Sequence, residues 1–227
     1  MGSSKGGKAH QRRLARTRRL FAFDRGLQSR FVAGADEAGR GCLAGPLVAA
    51  AVLIDYEALS HSDRRSLAGL HDSKQMKADR REELYPAVLR AARRASIVVR
   101  SVRGIDDRGL HVTNIEALSS ALERVKPCEE TTCLVDGFSL RDCPVPHRAV
   151  IEGDGTSAAI AAASILAKVT RDRYMHEAGR DHPGWGFEEH VGYSTPEHRE
   201  AISRIGISPL HRRSFQSVAY SQLELAG

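Results

Sequence analysis

Two kinds of apolar pattern divide this chain into strands and helices. Short runs of small and β-branched residues, bounded by Gly, Pro or charge, predict buried strands over 31–36 and 47–54. The same pattern places strands over 96–102, 132–136 and 148–151. Leu84, Val88, Leu89 and Ala92 recur at helical spacing with arginines opposite, which predicts a helix over 78–95. A second helix is expected over 114–125, with Asn114 as its cap. A long one should begin at Gly155, its first half (SAAIAAASILA) nearly free of polar bulk and therefore buried. A last helix is expected over 196–205. Strands alternating with helices imply an α/β fold: a mixed sheet flanked by helices, with a C-terminal helical extension. The expected division is a basic arm over 1–30, a catalytic body over 31–180 and the extension over 181–227.

Length and composition narrow this picture little. The 227 residues, 41% hydrophobic and 27% charged, suit one globular domain with an appendage. No apolar run approaches the roughly 20 residues of a membrane span, and the N-terminus lacks the apolar core of a signal peptide. A cytoplasmic protein without membrane attachment is expected, and a monomer, since no obvious apolar interface stands out. Cys42, Cys128, Cys133 and Cys143 show no paired spacing, so free thiols are expected rather than zinc or disulfides.

Charge changes the picture more. The net charge of +6 hides an asymmetry: residues 1–30 carry nine basic side chains against Asp24 alone, and the other 197 residues carry 25 basic against 27 acidic. Such arms contact phosphate backbones or trail as solvated tails, and both readings stand. Leu14, Leu20, Phe21, Phe23 and Leu27 predict that the second half of the arm packs on the body as a short helix.

The chemistry concentrates where acids meet element ends. Asp36 and Glu37 end the first strand and run into a glycine-punctuated segment (Gly39, Arg40, Gly41, Gly45, Pro46). Charges at a strand mouth are costly to bury without a partner, which points to a bound cation. Neighbours in a strand face opposite ways, so these two share a site only if the strand ends or bulges there. Asp136 ends a strand before Gly137, and Asp154 lies between Gly153 and Gly155. Taken singly, the first reads as a turn and the second as a helix cap; together with Asp36 and Glu37 they suggest one electronegative site. Hard oxygen ligands without clustered Cys or His select Mg²⁺ or Mn²⁺, and two such ions serve phosphodiester displacement. Lys74, Lys168, Arg171, Arg212 and Arg213 are candidate phosphate contacts. For Lys168 and Arg171 spacing alone slightly favours a solvated helix face, and His190, His198 and His211 read as surface or structural residues.

In order, GADEAGRG, HDSK, the Asn-Ile of VTNIEAL, LVDG, GDGTSAAIAAASILAKVTRD, GFEEHVGYSTPEH and HRRSF closely resemble ribonuclease HII, from about Phe31 to Val218. The resemblance implies a ribonuclease H-like fold and an endonuclease acting on the RNA strand of RNA–DNA hybrids and on single ribonucleotides in duplex DNA. It implies cleavage 5′ to the ribonucleotide, leaving a 3′-hydroxyl and a 5′-phosphate. Asp36, Glu37, Asp136 and Asp154 match the family's four metal-binding catalytic acids, with two Mn²⁺ or Mg²⁺ ions expected when substrate is bound. Gly39, Arg40 and Gly41 match the segment that reads the ribose 2′-hydroxyl, Tyr193 a tyrosine that packs on the sugar, and Lys74 a lysine near the phosphates. The chain departs from the pattern at Cys42, where proline is usual, and at Thr156 and Ser194.

Other readings fit less well. A ribonuclease HIII would carry a larger N-terminal substrate-binding domain than thirty residues. A hybrid-binding module without catalysis would gain nothing from acids clustered beside a polyanion. A phosphatase for small substrates would need a closed pocket.

Overall fold

Alternation in the first two strands sets the architecture. In the computed structural model, which describes residues 3–215, β1 (Phe31–Ala38) pairs antiparallel with β2 (Leu47–Asp55), from Phe31 opposite Asp55 to Ala38 opposite Val48. Val32, Val48, Ala50 and Val52 face one core; Ala33, Ala35, Ala49 and Ala51 face the other. Every residue of β2 is buried, which is why it reads as a continuous apolar run and not an alternating one. β3 (Arg94–Arg100), β4 (Thr131–Asp136) and β5 (Arg148–Val150) complete a sheet in the order β3-β2-β1-β4-β5. The β1–β4 and β4–β5 pairs are parallel, the others antiparallel. The expected mixed sheet is present.

Helices cover both faces. On one lie α1 (Ser3–Gly26), α3 (Ala78–Ala91) and α6 (Ala158–Asp181); on the other lies α5 (Leu110–Arg124). The alanine-rich start of α6 crosses β1 at Gly34, where a β-carbon would overlap the backbone of Ala159 and Ile160. This close approach explains the small residues on both sides of the contact. Ser157, not Asp154, caps α6, its side chain accepting from the Ile160 amide at 3.3 Å. The helix starts three residues later than its sequence suggests, which leaves Asp154 outside it in a 3₁₀ turn, Gly153–Gly155.

The arm is a longer helix than expected, and it is docked. Leu20, Phe21 and Asp24 are buried. Asp24 accepts from the Tyr56 hydroxyl at 2.6 Å and from the Ala159 amide at 3.0 Å, tying α1 to the first turn of α6. Smaller elements were not foreseen: α2 (His61–Ser66), α4 (Val102–Arg108) and α7 (Phe187–His190), with 3₁₀ turns at Ser73–Gln75 and Arg213–Phe215. α3 stops at Ala91 and the chain enters β3 at Arg94, so the expected end at 95 was late. α5 begins at Leu110, after Gly109 with φ 83°, so Asn114 lies inside the helix and caps nothing. α8 (Pro196–Ile205) matches its expected span, between the Thr195 cap and Gly206. The last part of the expected extension, 216–227, lies outside the described residues. Among the described residues no helix is long and apolar enough to cross a membrane.

Candidate active site

The four acids come from three elements that meet at the end of the sheet. β1 does not bulge: Asp36 stays opposite Ala50 and Glu37 opposite Ala49. What ends is the other flank, because the β1–β4 pairing stops at Ala35 and Val135. Asp36 and Asp136 therefore project on the α6 face, beyond Val32 and Leu134. Glu37 projects toward α5, beside the buried amide of Asn114, which favours its ionised form. Asp154 enters from its 3₁₀ turn. Asp136 Oδ1 accepts from the Gly153 amide at 2.6 Å, which fastens that turn to the end of β4.

Electrostatics mark these groups as a set. Burial pushes the Asp36 carboxyl well above the usual range, and the charges of Glu37 and Asp136 push the same way. Burial also raises Glu37, opposed first by Arg40, whose Nη1 lies 3.9 Å from Glu37 Oε1. Asp154 is raised to about 6, mainly by burial and then by Asp72 and Asp136. Asp36 Oδ1 accepts from the Glu37 amide at 2.7 Å. Its Oδ2 is buried and completes no hydrogen bond, although the nearby Ser164 hydroxyl, itself bonded to Ser73, favours the charged form. Lys74, from the Ser73–Gln75 turn, puts its Nζ 3.9 Å from Asp154 Oδ2. Burial opposes its charge, but Asp36, Asp154, Asp136 and Asp72 together raise it.

The glycine segment is a contrast in satisfaction. Arg171, fully buried, donates to the carbonyls of Pro46 (3.1 Å), Ala44 (2.9 Å) and Val191 (2.8 Å). Arg212, also fully buried, donates to Gly45 (2.9 Å), Pro46 (3.2 Å) and Arg40 (3.2 Å). These arginines clamp the segment and are not the phosphate contacts their sequence positions suggested, nor does Arg171 lie on a solvated helix face. Gly39, at φ 96°, packs directly on the Arg171 side chain. A β-carbon at Gly41 would meet nothing within 4 Å, so its backbone is open to approach.

Lys168 is corrected in the same way. It is buried, paired to Asp172 at 2.8 Å, and its Nζ lies 5.0 Å from the centre of the Tyr193 ring. It supports the tyrosine from beneath. Cys42 is fully buried beside the Tyr193 hydroxyl. Behind Tyr193 stand three histidines. The Ser208 amide donates to His211 Nδ1 (2.8 Å), so His211 Nε2 donates to His198 Nε2 (3.0 Å). His198 Nδ1 then donates to the Tyr193 carbonyl (2.8 Å). His190 stacks on His198 at 4.1 Å. Arg213 is exposed and its amide donates to Asp106 at 3.0 Å.

Four participants escaped the sequence reading. Asp72 faces Asp154 closely enough to raise it, while its Oδ1 accepts from the Lys74 amide at 2.8 Å. Ser73 and Ser164 share a buried hydrogen bond at 2.8 Å that pins the Lys74 turn to α6. Asn114, expected as a cap, instead turns its buried amide toward Glu37. The available signals were an acid two residues before Lys74 and a lone serine in an alanine run.

The family model for ribonuclease HII matches residues 33–218. The chain belongs to the ribonuclease HII family. Ribonuclease HII of Geobacillus kaustophilus is 44% identical over 202 residues, covering 88% of this chain and 74% of that protein. Ribonuclease HII of Nocardia farcinica is 49% identical over 187 residues, covering 82% and 72%. Among solved structures, the ribonuclease H2 of Pyrococcus horikoshii aligns with a TM-score of 0.68 at 27% identity, over 86% of this chain and 98% of that one. A ribonuclease HIII crystallised with Mn²⁺ shares the fold, with a TM-score of 0.61 at 19% identity over 86% of this chain and 65% of its own. As a ribonuclease HII, the chain is a hydrolytic nuclease with ribonuclease H activity on RNA–DNA hybrids, and its partner is nucleic acid.

Proposed function

We propose that this ribonuclease HII also cuts duplex DNA at single embedded ribonucleotides, on their 5′ side, leaving a 3′-hydroxyl and a 5′-phosphate. In this reading Asp36, Glu37, Asp136 and Asp154 are the catalytic acids and hold two divalent ions, Mn²⁺ or Mg²⁺, when substrate is bound. The observation that carries it is the unpartnered Asp36 Oδ2, buried among like charges. An oxygen so placed is expensive unless a cation completes it. Hard carboxylate donors suit Mg²⁺ and Mn²⁺. Among the described residues no three acids, histidines or cysteines form a finished metal cage; sites of this type use few carboxylates and complete their shell with substrate phosphate oxygens. The ions supply an activated water and charge neutralisation at the leaving oxygen.

The chain's own residues do the rest. The Gly39–Gly41 backbone, clamped by Arg171 and Arg212, offers the open face of Gly41 to a ribose. A 2′-hydroxyl is the group by which a protein tells RNA from DNA there. Tyr193, partly exposed and backed by Lys168, Cys42 and His198, packs on the adjoining sugar. Lys74 draws a phosphate toward the acids and offsets their repulsion of a polyanion. The same reading has the enzyme acting as a monomer in the cytoplasm.

The test is cleavage of a duplex with one ribonucleotide, with both product ends mapped, by wild type and by Asp36→Asn and Asp136→Asn. Metal-dependent cutting 5′ to the ribonucleotide, lost in both variants while duplex binding persists, supports the reading. Turnover at wild-type rate in either variant refutes the assignment of the acids.

A further inference from the structure

The family match begins at residue 33, yet a side chain from the helix before it lines the cavity that holds two of the acids. A cavity of about 400 Å³ holds Asp136 and Asp154, and Arg16 of α1 lines it with Asp72, Lys74 and Gln75. α1 is anchored at this point. Thr17, the next residue, accepts from the Gly69 amide at 2.9 Å and donates to the Leu70 carbonyl at 3.2 Å. Leu20 and Phe21 enter the main core one turn later. Arg16 is thus delivered to the cavity by a fixed element.

Its electrostatic position is unusual. The cavity wall contains Asp72, Asp136, Glu152 and Asp154, and Arg16 and Lys74 are its cations among the described residues. Lys74 already leans on Asp154. Arg16 has no carboxylate partner among the described residues; its Nη1 donates to the neutral Gln75 Oε1 at 3.2 Å. Gln75 Nε2 in turn donates to Asp72 Oδ2 at 2.8 Å. The guanidinium is therefore aimed by a neutral amide without being neutralised, and its remaining N–H groups have no partner among the described residues. A planar fork of this kind suits a phosphate.

We infer that Arg16 is a substrate-contacting residue whose guanidinium binds a backbone phosphate of the duplex flanking the one at the acids. The inference rests on the nucleolytic reading above and extends the substrate groove onto α1, outside the matched family region. Arg18 provides the comparison. It lies on the same helix and has the same charge, but it lines a separate cavity between α1 and α2.

The experiment measures full-length Arg16→Gln, Arg16→Lys and Arg18→Gln on a duplex carrying one ribonucleotide. Binding is followed by fluorescence anisotropy across a salt series without divalent ions, and cleavage by steady-state kinetics. Arg16→Gln should raise KM about tenfold with kcat little changed, as for loss of one charged hydrogen bond. Its slope of log affinity against log salt should fall by about one. Arg16→Lys should keep the slope, and Arg18→Gln should behave as wild type. Arg16 is exposed, so melting of Arg16→Gln should match wild type. A wild-type KM and slope in Arg16→Gln would overturn the inference. So would a fall in kcat at unchanged KM and slope, which would mean that Arg16 acts through Gln75 and Asp72. Failure of the wild-type chain to bind the duplex would also overturn it. A wild type that binds with the expected slope but does not cut at the ribonucleotide would defeat the nucleolytic reading and leave the phosphate contact standing.

Discussion

The two walls of the site solve opposite problems. The glycine wall is satisfied: two buried guanidiniums direct their donors at the carbonyls of Arg40, Ala44, Gly45 and Pro46. The acid wall is unsatisfied: Asp36 Oδ2 has no partner, and burial and like charge raise Asp36, Glu37 and Asp154 together. One wall has spent its hydrogen bonds on holding a backbone shape; the other holds its groups in reserve for something not of the protein. Both sets of charges are buried, so burial alone does not distinguish a structural charge from a functional one. Partners do.

The sharpest break in this comparison is Asp136→Asn. It should lower cleavage by at least about a thousandfold, the scale for removing one essential member of a catalytic set, with little loss of stability. Next comes Arg171→Met, which strands three buried carbonyls at about 1–3 kcal/mol each. We expect a loss of about 3–5 kcal/mol in chemical denaturation, with partial collapse of the clamped segment. Gly41→Ala tests the open side of the satisfied wall. Its melting should stay within about 0.5 kcal/mol of wild type, while kcat/KM at a single ribonucleotide falls roughly 10- to 200-fold, the range for one misplaced methylene in a recognition site.

The last comparison concerns pH. Burial lowers His198 and His211 from 6.5 to about 4. The folded state therefore favours their neutral forms, so the stability they contribute is present above pH 6.5 and declines as pH falls toward 4. Protonation would set two N–H groups against each other where one now donates to the other. A melting series from pH 7 to 4 should show that decline, reduced in His211→Gln.

Which parts of this were legible in the sequence follows from how local each signal is. The span of α8 could be read because its stops, Thr195, Pro196 and Gly206, are adjacent in the chain. The strands could be read from runs that need no partner to be recognised. The start of α6 was misplaced because Asp154 and Ser157 are both good caps, and only the turn fastened to Asp136 decides between them. Arg171 and Lys168 were misread because their partners lie at Ala44, Pro46, Val191 and Tyr193, far away in the chain. Arg16 could not be placed at all, since nothing in a basic arm tells which cation faces the acids.

The most direct test of the central contrast is the thermal melting of Asp36→Asn with and without Mn²⁺. A ligand that binds only the folded state raises its melting temperature. Wild type should melt higher with Mn²⁺. Asp36→Asn should melt at or above wild type without metal, because a buried like charge is gone, and should gain little from Mn²⁺. If Asp36→Asn instead loses several kcal/mol of stability, as expected for Arg171→Met, or keeps the full response to Mn²⁺, the acid wall is not the unsatisfied cation site described here.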